Sequence, residues 1–237
     1  MIAIRNATYR WRGAAADCLD IEELDVPGGA SLFLHGPSGT GKSTLLGLLA
    51  GVLRPTTGDV TVLGTAMEGL SASGRDAFRA DHVGYIFQQF NLLPYLSVED
   101  NVLLACRFSA NRTARAEKAA GSPPGHARHL LKAIGLDDEL WHRKASELSV
   151  GQQQRVAAAR ALIGSPELVI ADEPTSALDA ALRDGFMRLL LDECARAGSA
   201  LVLVSHDERL AGHFDRRVSL PAINRAGKGA PIEEATA

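Results

Sequence analysis

Nine consecutive residues, Gly36-Pro37-Ser38-Gly39-Thr40-Gly41-Lys42-Ser43-Thr44, fit the pattern G-x-x-x-x-G-K-[ST]. Each residue type there suits the binding of a nucleoside triphosphate. Gly36, Gly39 and Gly41 let the backbone curl until successive N–H groups face one anion. Lys42 has the reach for the β- and γ-phosphates, and the Ser43 hydroxyl is an oxygen donor suited to Mg²⁺. Far downstream, Asp172-Glu173 closes an apolar run. Its first carboxylate could hold Mg²⁺ through the water shell, and its second could orient or deprotonate an attacking water. Gln88 directly follows one apolar run and His206 follows another after Ser205, where either could contact a γ-phosphate, and Gln88 also the Mg²⁺. Alone, each of those two is a weak sign.

These side chains need a scaffold that gathers them. Ser31–His35 reads as a buried strand and Leu45–Ala50 as a buried helix, so the loop lies between a strand and a helix N-terminus. That terminus adds unpaired N–H groups and a positive dipole end. Val83–Phe87, Leu168–Ala171 and Ala200–Val204 are continuous apolar runs, as in strands buried on both faces. Ligands of open α/β sheets sit beyond the carboxyl ends of strands. Gln88, Asp172, Glu173 and His206 all fall at such ends.

The other segments read as supports. Residues 1–35 alternate short apolar runs with turn signals, as antiparallel strands do. Trp11 among them offers either an aromatic face to a nucleobase or a cover for a sheet edge. A strand is expected from Asp59 to Gly64 and a polar helix from Ser73 to Asp81. About 89–164 reads as a mainly helical insert, with helices over Val98–Phe108 and Gly125–Gly135 separated by a Gly121–Gly125 linker. Its arginines and lysines between 107 and 132 make a basic stretch, suited to a solvated face or to lipid headgroups. Ser149 caps a helix through Leu162, and Ser176–Asp179 caps another, to about residue 197. About 1–88 and 165–222 form the core, and 223–237 a tail expected to fray.

Composition bounds the rest. The 237 residues carry a net charge of −3, which leaves no broad electrostatic footprint for nucleic acid. Cys18, Cys106 and Cys194 are scattered, so neither a disulfide framework nor a zinc site is expected, and a reducing cytosol fits. No charged-then-apolar leader opens the sequence, so no secretion signal is expected. The longest apolar run, Leu45 to Leu53, is too short to span a bilayer.

Taken in order, Trp11, the loop 36–44, Gln88, Leu148-Ser149-Val150-Gly151-Gln152, Asp172-Glu173, Asp179 and His206 resemble the motifs of an ABC transporter's nucleotide-binding subunit. The likeness covers roughly residues 1–220. It implies an α/β P-loop NTPase core, a mixed sheet with flanking helices, plus an antiparallel β subdomain and the inserted helical subdomain. It also implies an ATPase using ATP and Mg²⁺, with Glu173, His206 and Gln88 catalytic, and Ser43, Gln88 and Asp172 at the metal. Trp11, the loop, Ser149, Gly151, Gln152 and Asp179 would contact nucleotide. Two copies would sandwich two ATPs, each loop facing Ser149 and Gly151 of the other copy. The partner would be an integral membrane permease, with this chain cytoplasmic and peripheral on the cytoplasmic face of the inner membrane and no nucleic acid bound. Phe87 to Pro94 followed by Asn101-Val102 resembles the lipoprotein-release, macrolide-export and cell-division group. The apolar stretch Phe90 to Leu96 would either receive the permease's cytoplasmic helix or pack inside the insert.

Two departures stand out. Val150 replaces the usual first glycine of the signature, so its backbone must lie in an ordinary region. The valine form also resembles a branch including heterocyst-glycolipid-type exporters, which implies lipid or peptide export. Leu220-Pro221-Ala222-Ile223-Asn224 replaces the usual strand and glycine turn. A soluble ABC-type ATPase acting on nucleic acid or ribosomes is the competing reading. Against it, the chain has one motif set and no long coiled coil between Lys42 and Glu173. Having both Glu173 and His206 also disfavours a non-hydrolysing switch.

Overall fold

The computed structural model describes residues 1–176, 178 and 180–226. The hairpin β1 (Ile2–Tyr9) and β2 (Leu19–Val26) leads to β3 (Ser31–His35) and α1 (Lys42–Leu49). β4 (Thr57–Val62), β5 (Thr65–Ala66), α2 (Ala72–His82) and β6 (Val83–Ile86) follow. Next come four helices: α3 (Val98–Arg107), α4 (Ala110–Ala120), α5 (Pro123–Ala133) and α6 (Val150–Leu162). The chain then returns through β7 (Leu168–Asp172), α7 (Ala180–Ala197), β8 (Ala200–Val204), β9 (Arg216–Ser219) and α8 (Leu220–Ile223).

The strands form two sheets, a parallel one ordered β6-β7-β8-β3-β9 and an antiparallel one ordered β2-β1-β4-β5. Sequence explains the division. All five residues of β8 and the first four of β7 are buried, as a strand covered on both faces requires. β1 instead begins by alternating buried Ile2 and Ile4 with half-buried Ala3 and Arg5. Successive residues of the parallel strands feed two cores. Phe33, Val169, Ala171, Leu201 and Leu203 pack with α3, α5, α6 and α7. Leu32, Leu34, Leu168, Ile170, Val202 and Val204 pack with α1 and the antiparallel sheet. The parallel sheet is therefore held on both sides, and its carboxyl edge is rigidly presented. Among the described residues no helix is long and apolar enough to cross a membrane.

Several expectations are corrected. β3, counted with the antiparallel strands of residues 1–35, pairs in parallel with β8 and β9. Gly121–Gly125 is not a linker: Gly121 ends α4, Ser122 caps α5, and Pro123-Pro124 fill its first turn. Proline is tolerated there because those N–H groups have no intrahelical partner anyway.

The basic stretch is a solvated face only in part: Arg107, Lys118, Arg128 and Lys132 are exposed, but Arg112 and Arg115 turn inward. Arg112 is buried and donates to the Ala161 and Ile163 carbonyls at 3.3 and 3.2 Å. Arg115 binds the Gly164 carbonyl at 2.7 Å, and Arg128 pairs with Glu99 at 2.8 Å. The tail does not fray from its start. Asn224 is buried, and Arg225 pairs with Asp20 and Glu22, both at 2.8 Å. Residues 227–237, where the rest of that expectation falls, lie outside the described residues.

Candidate nucleotide site

β3 delivers Gly36 at its carboxyl end, and α1 begins at Lys42. Gly41, at φ 96°, is the residue before α1, and a Cβ there would lie 2.7 Å from Leu19 Cδ2. Only glycine meets both demands. No side chain caps α1, so its first amides remain available to an anion. Lys42 Nζ donates to the Gly36 and Pro37 carbonyls, both at 2.8 Å, and Thr40 Oγ1 donates to Pro37 at 2.9 Å. The loop thus holds its own ammonium across its mouth.

A cleft of about 560 Å³ opens on the loop. Its other walls are Cys18, Gln88, Asp172, Glu173 and His206. Ser43 Oγ donates to Asp172 Oδ2 at 3.1 Å, across the boundary between α1 and β7. Burial raises the Asp172 pKa above the ordinary carboxylate value, and the charge of Glu173 adds to this. The Ser43 hydrogen bond and Lys42 oppose the shift.

Glu173 takes φ 47°, a strained conformation for a residue with a Cβ. Its N–H donates to the Val204 carbonyl at 2.9 Å, which fixes the turn between the ends of β7 and β8. The side chain is largely buried, and Oε2 stands 3.0 Å from His206 Nδ1. That pair is close enough for an ion pair with a protonated ring but is not aligned as a hydrogen bond. Oε2 therefore accepts none. An acceptor buried and left open typically costs about 1–3 kcal/mol, which a bound donor such as water relieves. His206 is exposed, yet its turn is fixed. Ser205 Oγ accepts from the Asp207 N–H at 3.1 Å, and the Asp207 carboxylate is held by Arg183 and Arg209.

Residues 19–176 match the family described as ABC transporter. The chain belongs to that family. The ABC transporter ATP-binding protein Rv0986 of Mycobacterium tuberculosis is 39% identical over 224 residues, covering 92% of this chain and 87% of that relative. The lipoprotein-releasing system ATP-binding protein LolD of Anaeromyxobacter dehalogenans is 42% identical over 198 residues, 84% of this chain and 80% of LolD. Among solved structures, the dimeric ATP-binding cassette MJ0796, bound to ADP and Pi after hydrolysis, matches with a TM-score of 0.80. The identity is 32%, over 92% of this chain and 94% of that one. The protein is an ATP-binding subunit of an ABC transporter, and it is an ATPase.

In this ABC ATPase the residues expected at the site fall into two groups. Ser38, Gly39, Gly41, Lys42, Ser43 and Thr44 line the cleft with Gln88, Asp172, Glu173 and His206, while Gly36, Pro37 and Thr40 form the loop's back. Trp11, Ser149, Gly151 and Gln152 are not among the cleft's walls. Trp11 is 48% exposed and stands edge-on to Tyr9, ring centres 5.1 Å apart. Ser149 and Gln152 form a reciprocal capping box at the start of α6, with the Ser149 N–H donating to Gln152 Oε1 at 2.9 Å. Val150 has ordinary helical backbone, as its β-branch requires. Asp179 lies outside the described residues. Two residues of the region escaped sequence reasoning, Cys18 and Asn224. Cys18 Sγ lies 3.5 Å from Thr44 Oγ1. Asn224 reaches the loop from the far end of the chain. No local pattern marks either.

Proposed function

We propose that two copies of this ATPase close around two ATP molecules and thereby drive a membrane permease from the cytoplasmic face of the inner membrane. The observation that carries this reading is the split between the two groups of motifs. The cleft gathers Lys42, Gln88, Asp172, Glu173 and His206, while the capped N-terminus of α6 takes no part in its walls. The cap takes the Gln152 N–H and leaves the earlier amides of this helix end to an anion, and a second copy supplies it, the γ-phosphate on its own loop. Gly151 supports this. A Cβ there would meet only Leu178 Cδ2, at an ordinary 3.5 Å. Nothing described within the chain demands glycine at that point, whereas close approach of a nucleotide on another copy does. MJ0796 was itself solved as a dimer.

Ser43 Oγ and Asp172 Oδ2 are hard oxygen donors 3.1 Å apart, a pair that fits Mg²⁺. Among the described residues no three His, Cys, Asp or Glu side chains form a metal cage, so ATP phosphates and water would complete the shell. The ion, when bound, offsets charge on the β- and γ-phosphates. Lys42 exchanges its two carbonyl partners for phosphate oxygens. Glu173 accepts a hydrogen bond from the attacking water and draws its proton, while Gln88 and His206 approach the γ-phosphate. Trp11 stacks on the adenine.

The permease reading has its own support. Within the apolar stretch after Gln88, Phe90 is buried but Tyr95 is 68% exposed, so the stretch both packs inward and presents a face. Beside it a groove of about 450 Å³ runs between Tyr85, Leu104, Phe108 and Arg160, with Phe108 exposed. A cytoplasmic helix of the permease docks there. The motif group and the lipoprotein-release name of the LolD relatives favour export or mechanotransmission of lipid, lipoprotein or peptide.

The Glu173→Gln variant tests the core of the proposal. Hydrolysis should fall by roughly 10²–10⁴ while binding survives, and the variant should elute as a dimer only with ATP. Near-normal turnover without a mass shift overturns the proposal.

A further inference from the structure

The segment Leu220–Asn224, set apart in the sequence by its lack of the usual strand and glycine turn, is firmly placed. It folds as α8 and delivers Asn224, 7% exposed, between β2 and the phosphate loop. Asn224 Nδ2 donates to the Cys18 carbonyl at 3.1 Å and to the Thr40 carbonyl at 3.2 Å. Its Oδ1 accepts from the Asp20 N–H at 2.9 Å and from the Ala226 N–H at 3.0 Å. Two donors and two acceptor sites are all that an amide side chain has, and all four are used. Asn224 also forms an isolated antiparallel bridge with Ile21. Pro221 packs on the loop's first residue, so closely that a Cβ on Gly36 would lie 2.8 Å from Pro221 Cδ.

These contacts bear on the cleft through peptide geometry. A trans peptide is planar, with its C=O and the next N–H pointing in opposite directions. The chain has no cis peptide among its described residues. A Thr40 carbonyl drawn outward by Asn224 therefore turns the Gly41 N–H the other way, and Gly41 lines the cleft. Cys18, whose carbonyl takes the other donated bond, is a wall of the same cleft. We infer that Asn224 is a positioning residue for nucleotide binding, a bracket that joins β2 to the phosphate loop and aims the Gly41 amide. The inference rests on the phosphate-loop assignment. An aspartate at the position would keep the acceptor but lose both donors, and would set a carboxylate against two carbonyls.

The test compares Asn224→Ala and Asn224→Asp with the parent, measuring affinity for a fluorescent ATP analogue and for ADP below each variant's melting temperature. The loss of two donated bonds predicts a roughly tenfold weakening. ATP and ADP should be affected alike, because the bracket does not reach the γ-phosphate. The loss should appear in KM, with kcat at saturation held within about twofold, as for a lost uniform-binding interaction. If Asn224→Ala does not fold, the near-isosteric Asn224→Asp decides. Unchanged nucleotide affinity in a folded variant with a lowered melting temperature overturns the inference, since Asn224 then serves only the fold. Lys42→Ala is run beside them. If it binds ATP normally, the phosphate-loop assignment fails and takes the inference with it.

Discussion

Asp172 shows what a catalytic cleft asks of a single residue. The folded chain raises its pKa through burial, with Glu173 adding repulsion. An ionised carboxylate is then less favourable in the folded state than in the unfolded one. The sign follows from linkage: the penalty is absent below the unfolded pKa and complete above the folded one. At neutral pH, nucleotide-free protein therefore carries a destabilising charge that the proposed Mg²⁺ and ATP would compensate. Asp172→Asn keeps an acceptor for Ser43 and removes that charge. Its nucleotide-free form should melt higher at pH 7, by roughly 2–4 °C per kcal/mol relieved, with the difference vanishing as pH falls below the unfolded pKa. MgATP hydrolysis should drop by about 10²-fold or more, the scale of a lost charge-stabilising group. A melting temperature no higher than the parent's at pH 7 contradicts the argument. Glu173 stands in the same position by another route, through a left-handed backbone and an open buried oxygen.

At the scale of elements, legibility in the sequence tracked how local the cause of each structure was. The loop, its flanking strand and helix, and the carboxyl ends of β6, β7 and β8 were readable because continuous apolar runs fix buried strands. The capping box of α6 was half readable: Ser149 was expected as a cap, but the use of Gln152 as its reciprocal partner was not. α4 was unreadable because its buried face is built from Arg112 and Ala116 rather than an apolar stripe. Arg112 is satisfied in part by carbonyls 49 and 51 residues away. Asn224 was unreadable for the same reason, since its partners lie near the other end of the chain.

The α6 terminus also yields a prediction that separates its two roles. Aspartate caps a helix about as well as serine does. Ser149→Asp should therefore keep the melting temperature while placing a negative charge where the proposed sandwich brings the partner copy's γ-phosphate, abolishing dimer-dependent hydrolysis but not monomer ATP binding. Ser149→Ala should instead lower stability by roughly 1 kcal/mol. Retained hydrolysis in Ser149→Asp would exclude the α6 terminus from the shared site.

At the scale of the whole molecule, the nucleotide cleft and the proposed docking face occupy different parts of the surface. The cleft lies at the carboxyl edge of the parallel sheet. The exposed aromatics Tyr95 and Phe108 mark the helical side, and Phe108 lines the groove along Tyr85 and Arg160. Arg160 ties the two regions together, donating to the carbonyls of Phe90 and Asn91 in the turn that follows Gln88. Phe90 and Asn91 both hold left-handed backbone, φ 57° and 50°. A strained turn clamped at one end and carrying Gln88 at the other suits the transfer of a closing motion. Large exposed apolar groups rimmed by polar residues are the usual mark of a protein contact. Tyr95→Asp with Phe108→Asp should therefore leave ATP-dependent dimerisation of the isolated Glu173→Gln protein intact while ending its co-purification with the permease from detergent-solubilised membranes. Loss of dimerisation together with co-purification would show that the aromatics serve the fold of the helical region. Co-purification at the parent level would place the docking face elsewhere on the molecule.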